Sequence, residues 1–151
     1  MNGSVNFTLR PVNMVPPSSA QSYLIAAKGL FSGVEAISTN TPATAMACSF
    51  LAAQVLECVL KSYLSHAGKT ESQLSDHSIR HNLERLWREA VHKGLKIQSN
   101  PPEWCMTLNS GHDKPYHFRY PMKLNGFVFP ALLPMTTDIR SILSTVEGAI
   151  L

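Results

Sequence analysis

The chain has 151 residues, 44% of them hydrophobic and 15% charged, with 13 Lys and Arg against 10 Asp and Glu. That is about one domain, able to bury a core unaided, and it excludes a disordered tail or a fibrous repeat. The net charge of +3 does not by itself point to nucleic acid, but it is concentrated: residues 1–60 and 97–151 each balance, and 61–96 holds seven basic residues against four acidic ones, with four of the six histidines.

The first predicted helix runs from about Ser18 to Ile37, where Ala20, Tyr23, Leu24, Ala27, Leu30, Phe31 and Val34 recur at three and four to make one apolar stripe. A second begins at Thr41, a good N-cap, with Pro42 at the first helical position. Its wide apolar arc, from Ala45 to Leu64, marks it as the central helix. A third starts near Asp76 or Ser78 and ends at Gly94, with Ile79, Leu83, Leu86, Trp87, Ala90 and Val91 on one face. No proline lies between Ala43 and Asn100, and the two glycines there, Gly68 and Gly94, stand where C-cap glycines would. Six of the ten prolines fall between Pro101 and Pro134, so that segment is expected to be irregular or extended. Within it, Asn125-Gly126 predicts a short β-hairpin, His117–Leu124 against Phe127–Leu132, held at an edge by Pro121 and Pro130. A fourth helix opens at Thr136-Thr137-Asp138 and carries Ile139, Ile142, Leu143 and Val146.

Three unpaired cysteines, Cys48, Cys58 and Cys105, argue against a disulfide framework; the first two read as small buried hydrophobes. The N-terminal residues show neither a basic start nor a sustained apolar run, which leaves little weight on the Asn-x-Ser/Thr matches at Asn2 and Asn6. The longest apolar segment is broken by Ser49, Gln54, Glu57 and Lys61, so no membrane span is expected and the setting is read as cytoplasmic.

One stretch resembles a known family. LAAQVLECVLKSYLSHAG, a short polar loop, and DHSIRHNLERLWREAVHKGL together look like the helical hairpin of the HEPN family. Glu57, Lys61, Gly68, His81 and Leu83 carry the likeness, with Asn82 standing inside the His–Leu pair; it covers about 45–95, a third of the chain. The resemblance implies an all-α bundle, often dimeric, of bacterial defence and toxin–antitoxin systems. Many members are metal-independent ribonucleases; others are RNA-binding or interaction modules. The nucleases carry an Arg, usually followed by a polar residue, and a His four to six residues further on. A His serves there as general base on a ribose 2′-hydroxyl and an Arg stabilises phosphate charge. Here the chain departs from the pattern. After Arg80-His81 the required His is replaced by Arg85, Leu86 and Trp87. Arg85 and His92 satisfy the spacing, but Leu86 follows that Arg. Seven helical positions put Arg85 and His92 on one face, about 10.5 Å apart along the axis. They are the candidate catalytic pair, against the plainer reading of a solvated basic face.

His77 and His81, four apart beside Asp76, make an incomplete metal set, and His112 and His117 with Cys105 have arbitrary spacing; no metal site and no cofactor is assigned. If 116–120 is a strand, Tyr116, Phe118 and Tyr120 share one face, and His117 and Arg119 the other, free for phosphate or a partner chain. No phosphate loop, nucleophile elbow, zinc cysteine pair or paired carboxylates are present.

The expectation is an all-α, up-and-down four-helix bundle with a small β-hairpin insertion before the last helix. It forms a single HEPN-like domain over 1–151, with an N-terminal arm over 1–16 and an irregular insertion over 97–135. The expected function is that of an RNA-associated protein, possessing at most a degenerate metal-independent ribonuclease site. The alternative is a non-catalytic, antitoxin- or immunity-type interaction module. The residues expected to meet RNA or a partner are Arg80, His81, Arg88, Lys93, His117 and Arg119. Expected partners are a second copy in a homodimer, for which the apolar run FVFPALL offers a surface, RNA, and a cognate antitoxin or other protein.

Overall fold

The computed structural model describes residues 14–37 and 42–151. The expected N-cap Thr41, the sequons at Asn2 and Asn6, and most of the N-terminal arm lie outside them. The elements are α1 (Ser19–Ile37), a 3-10 turn (Pro42–Thr44), α2 (Ala45–His66), the one-turn α3 (Glu71–Leu74), α4 (Leu83–His92), α5 (Glu103–His112) and α6 (Leu132–Ile150). The all-helical class holds. The hairpin does not: among the described residues there is no strand.

Helix α2 is the axle. It packs along α1 and also touches α4, α5 and α6. Ala52, Ala53, Val55, Leu56, Val59, Leu60 and Leu64 are all fully buried, which is why its apolar arc is so wide. Among the described residues it is the one helix long and apolar enough to cross a membrane, and 61% of its apolar window is buried inside the fold. On α1 the predicted stripe is the buried one: Ala20, Leu24, Ala27, Phe31 and Val34 face α2 and α6.

Both predicted stop signals operate. Gly68 and Gly94 adopt positive φ of 96° and 101°. Each closes a double-bonded C-terminal turn: Gly68 and Lys69 donate to the carbonyls of Ser65 and Leu64, Gly94 and Leu95 to those of Val91 and Ala90. The start of α4 differs from expectation. Asp76 accepts bonds from the backbone N–H and hydroxyl of Ser78, so the chain turns there, and the helix begins only at Leu83, behind its N-cap Asn82. Asn82 accepts from the Arg85 N–H and donates to Asp113 Oδ2 at 2.7 Å; Leu83 donates its N–H to Asn109 Oδ1. The N-terminus of α4 is thus bolted to the end of α5. Asn82→Ala is expected to cost about 1–2 kcal/mol, read from urea unfolding. Asn82→Asp keeps the cap but sets a carboxylate against Asp113, so it should fail to restore full stability.

Two corrections fall in 97–135. The segment contains a ten-residue helix, α5, because Pro101 and Pro102 precede it and Pro102 is its N-cap. Proline at a helix threshold costs nothing that the helix would otherwise use. The hairpin fails because its backbone groups are spent locally. Phe118 donates to the Gly111 carbonyl, and Arg119 and Tyr120 both donate to that of Tyr116. Pro121 and Pro130 have no N–H to offer a ladder. Phe118, Phe127 and Phe129 stack in series instead, with centroids 6.2 and 5.9 Å apart. The predicted split of faces dissolves with the strand: Phe118 is buried, His117 half-buried, and Tyr120 exposed. Helix α6 begins four residues before the expected start, at Leu132, with Pro134 tolerated in its first turn.

Candidate functional site

Two polar features stand out. One is buried. Glu57 and Lys61, a turn apart on α2, point into the core with side chains 8% exposed each, and the ammonium lies 2.7 Å from Oε1. Burying a carboxylate is costly unless it is fully partnered. Here Oε2 meets His112 Nε2 at 2.6 Å and His81 Nδ1 at 3.0 Å. Burial pushes the Glu57 carboxyl up, but the His112 hydrogen bond, the Lys61 cation and its hydrogen bond, and the His81 bond outweigh it and hold the group at about 2. An ionised carboxylate only accepts, so both facing ring nitrogens carry their protons. His81 is therefore the Nδ1–H form on this side, while its Nε2 makes no hydrogen bond and is not buried. His112 Nδ1 is buried without a partner. Edge-to-face contacts with His112 and Tyr116 clasp the His81 ring at 5.8 and 5.7 Å. Tyr116 holds a left-handed backbone at φ 65°, a strained position for a non-glycine residue.

The other feature is open. A cavity of about 520 Å³ is lined by Lys69, Ser78, Arg85, Arg88, Glu89 and His92, among others. Arg85 donates to the Ser78 carbonyl at 3.2 Å. Arg88 pairs with Glu84, and Lys69 with Glu89 at 3.2 Å. Lys69 and Arg88 are thus each paired with a carboxylate, and Arg85 is the cation of the wall with no ion pair among the described residues, so the excess positive charge that would favour an anion is centred on Arg85.

The structure thus brings the predicted pair Arg85 and His92 to one cavity and adds Arg88 from the expected binding set, with Lys69 joining. It leaves the other expected residues elsewhere. His81 turns inward to Glu57. Arg80 is half-buried with Nε unpartnered. Lys93 caps the end of α4 away from the cavity lining, and His117 and Arg119 lie in the turns after α5. The basic excess of 61–96 is accordingly not one face, since Lys61 belongs to the core. His77 is exposed and does not join His81, because the turn at Asp76 interrupts the helical spacing that would align them. The grouping that forms is Glu57, His81 and His112. Glu57 and Lys61 were visible in the sequence as charges on an apolar helix. His112, 55 residues from Glu57, carried no such signal.

The thiols of Cys48, Cys58 and Cys105 are all pushed up by burial, Cys58 to about 11 and Cys105 to about 12, as packed and unreactive groups. No family model, curated protein or solved structure matches the chain.

Proposed function

We propose that the chain is a HEPN-like, RNA-associated module of a defence or toxin–antitoxin setting that holds RNA phosphates at the α4 cavity. The observation that supports this reading is the gathering of Lys69, Arg85, Arg88 and His92 around one open cavity of phosphate-accepting size. The Arg85 guanidinium has donors left over from its bond to the Ser78 carbonyl for a phosphate oxygen, and Arg88 joins by exchanging Glu84 for phosphate. The family likeness supplies the setting. Of the residues that carry it, Glu57, Lys61 and His81 meet in one hydrogen-bonded cluster, while Gly68 closes α2 and Leu83 opens α4. The geometry of α4 favours holding RNA over cleaving it. Arg85 and His92 stand about two helical turns apart, and the Leu86 that follows the Arg is fully buried.

Single-stranded RNA binding against salt tests the reading. Three cation–phosphate contacts predict a log–log slope of about −2, and Arg85→Ala or Arg88→Ala should each shallow it by about 0.7. A flat salt response, or slopes unchanged in both variants, sinks the phosphate assignment and favours a protein partner. If the purified protein cleaves RNA and the Arg85→Ala/His92→Ala variant cleaves it equally well, those two residues are not its catalysts.

A further inference from the structure

We propose that Glu57, His81 and His112 form a binding site for one divalent transition-metal ion of the zinc class, completed by water on the side where His81 meets solvent. This inference does not rest on the RNA reading. Glu57 Oε2, His81 Nδ1 and His112 Nε2 all lie within 4.8 Å of one another, although they come from α2, the turn before α4 and the end of α5. Two imidazoles and a carboxylate oxygen are the donor set of zinc, iron, cobalt and nickel, not of magnesium or calcium, and three protein ligands leave the fourth position to water.

Two of the three donor pairs lie near the spacing a metal needs, and the two ring nitrogens lie within 4.8 Å of each other. Metal–ligand bonds of about 2.0–2.1 Å in a tetrahedron place donors about 3.3 Å apart. Oε2 to His81 Nδ1 is 3.0 Å and Oε2 to His112 Nε2 is 2.6 Å, so the pairs need open by only about 0.3 and 0.7 Å. The scaffold holds the ligands to one another. The residues following the two histidines, Asn82 and Asp113, are hydrogen-bonded at 2.7 Å, and Asn109 Oδ1 takes the Leu83 N–H. Lys61 on Oε1 fixes the carboxylate so that Oε2 alone is presented. On binding, the aqua ion gives up water for three protein ligands, and each imidazole releases the proton that its facing nitrogen shared with Glu57 and takes one up, by exchange with water, on the nitrogen facing away. For His81 that nitrogen reaches solvent; for His112 it is the Nδ1 that has no partner.

Lys61 also limits the site. Glu57 and Lys61 cancel in charge, so the ion brings its two charges to a neutral, buried cluster a few ångströms from an ammonium. The affinity should therefore be lower than that of the same three ligands without the Lys61 ammonium beside them.

Cobalt(II) added to the full chain, followed by visible absorption and displaced by zinc, tests the proposal. The expected result is the intense absorption of four-coordinate cobalt, saturating at one ion per chain. His81→Phe and His112→Gln should each weaken binding at least about a hundredfold, beyond the loss typical of an outer-shell residue. Lys61→Met removes no ligand and keeps the test sound should a histidine variant unfold; it should tighten binding at least about tenfold. Only the weak spectrum of six-coordinate surface cobalt, equal binding in both histidine variants, or no tightening in Lys61→Met overturns the site.

Discussion

Glu57→Leu is expected to cost the fold about 3–5 kcal/mol, a large share of the stability of a domain of this size. The side chain is not an isolated ion pair but the single acceptor for three donors. Without it, the Lys61 ammonium stays buried against leucine, and the His81 and His112 rings lose the oxygen that orients them. Most of the loss is the cost of the stranded lysine rather than the worth of the pair. Adding Lys61→Met to Glu57→Leu should therefore recover more than half of it, because apolar side chains of similar size suit positions as buried as these two. Urea unfolding of the two single variants and the double variant measures this directly. A loss below about 1 kcal/mol in Glu57→Leu, or no recovery in the double variant, contradicts a buried, fully engaged network.

The same residue sets an acid response. The folded carboxyl titrates at about 2, below its ordinary value of 4.5. The unfolded chain therefore binds the proton first as pH falls. The stabilisation from Glu57 is complete above about pH 5, drains away as pH falls toward 2, and amounts to about 3 kcal/mol. Glu57→Gln should lower stability at neutral pH and flatten the dependence between pH 5 and 2. A wild-type slope that persists in Glu57→Gln assigns the acid response to other carboxylates.

The parts of this fold that were legible in the sequence are those governed by local chemistry. The α1 stripe, the apolar arc of α2 and the two C-cap glycines depend on spacing within one element, and each forms where the spacing puts it. The errors arise where distant parts of the chain compete with local signals. Asn125-Gly126 favours a hairpin turn, but its flanking residues gain more by stacking Phe118, Phe127 and Phe129 over the bundle. The prolines around 101 suggested irregular chain, whereas Pro102 begins a helix. Missing α5 also meant missing its last residue, His112, the partner that closes the Glu57 cluster. The candidate site was half-visible for the same reason: Glu57 and Lys61 announce themselves as charges on a core helix, and Arg85 and His92 by spacing on α4. Which histidine meets Glu57 depends on how α5 docks.

That docking runs through the two tryptophans of the chain, and Trp87→Ala should be the most damaging single change outside the charged cluster. Trp87 is 2% exposed, on the buried face of α4. Its ring stands edge-on to Trp104 of α5 at 6.0 Å, and its Nε1 donates to the Gln98 carbonyl at 2.9 Å, tying down the link between the two helices. Trp104 in turn donates to Asp138 on α6 at 2.8 Å. Removing the Trp87 ring empties a space shared by α4 and α5, at about 3–5 kcal/mol. Trp87→Phe keeps much of the packing and should cost less than half of that; its orphaned carbonyl, on the exposed Gln98, is free to take water. A double-mutant cycle with Trp104→Phe should return a coupling of about 1 kcal/mol for the ring pair. Because α4 carries Arg85 and His92 while α5 ends at His112, loosening this clasp should weaken both RNA and cobalt binding although Trp87 lines neither site. Full retention of both in a Trp87→Ala protein that has lost that much stability would mean that each site is held by its own hydrogen bonds, Asn82 to Asp113 above all, and not by the packing of α4 on α5.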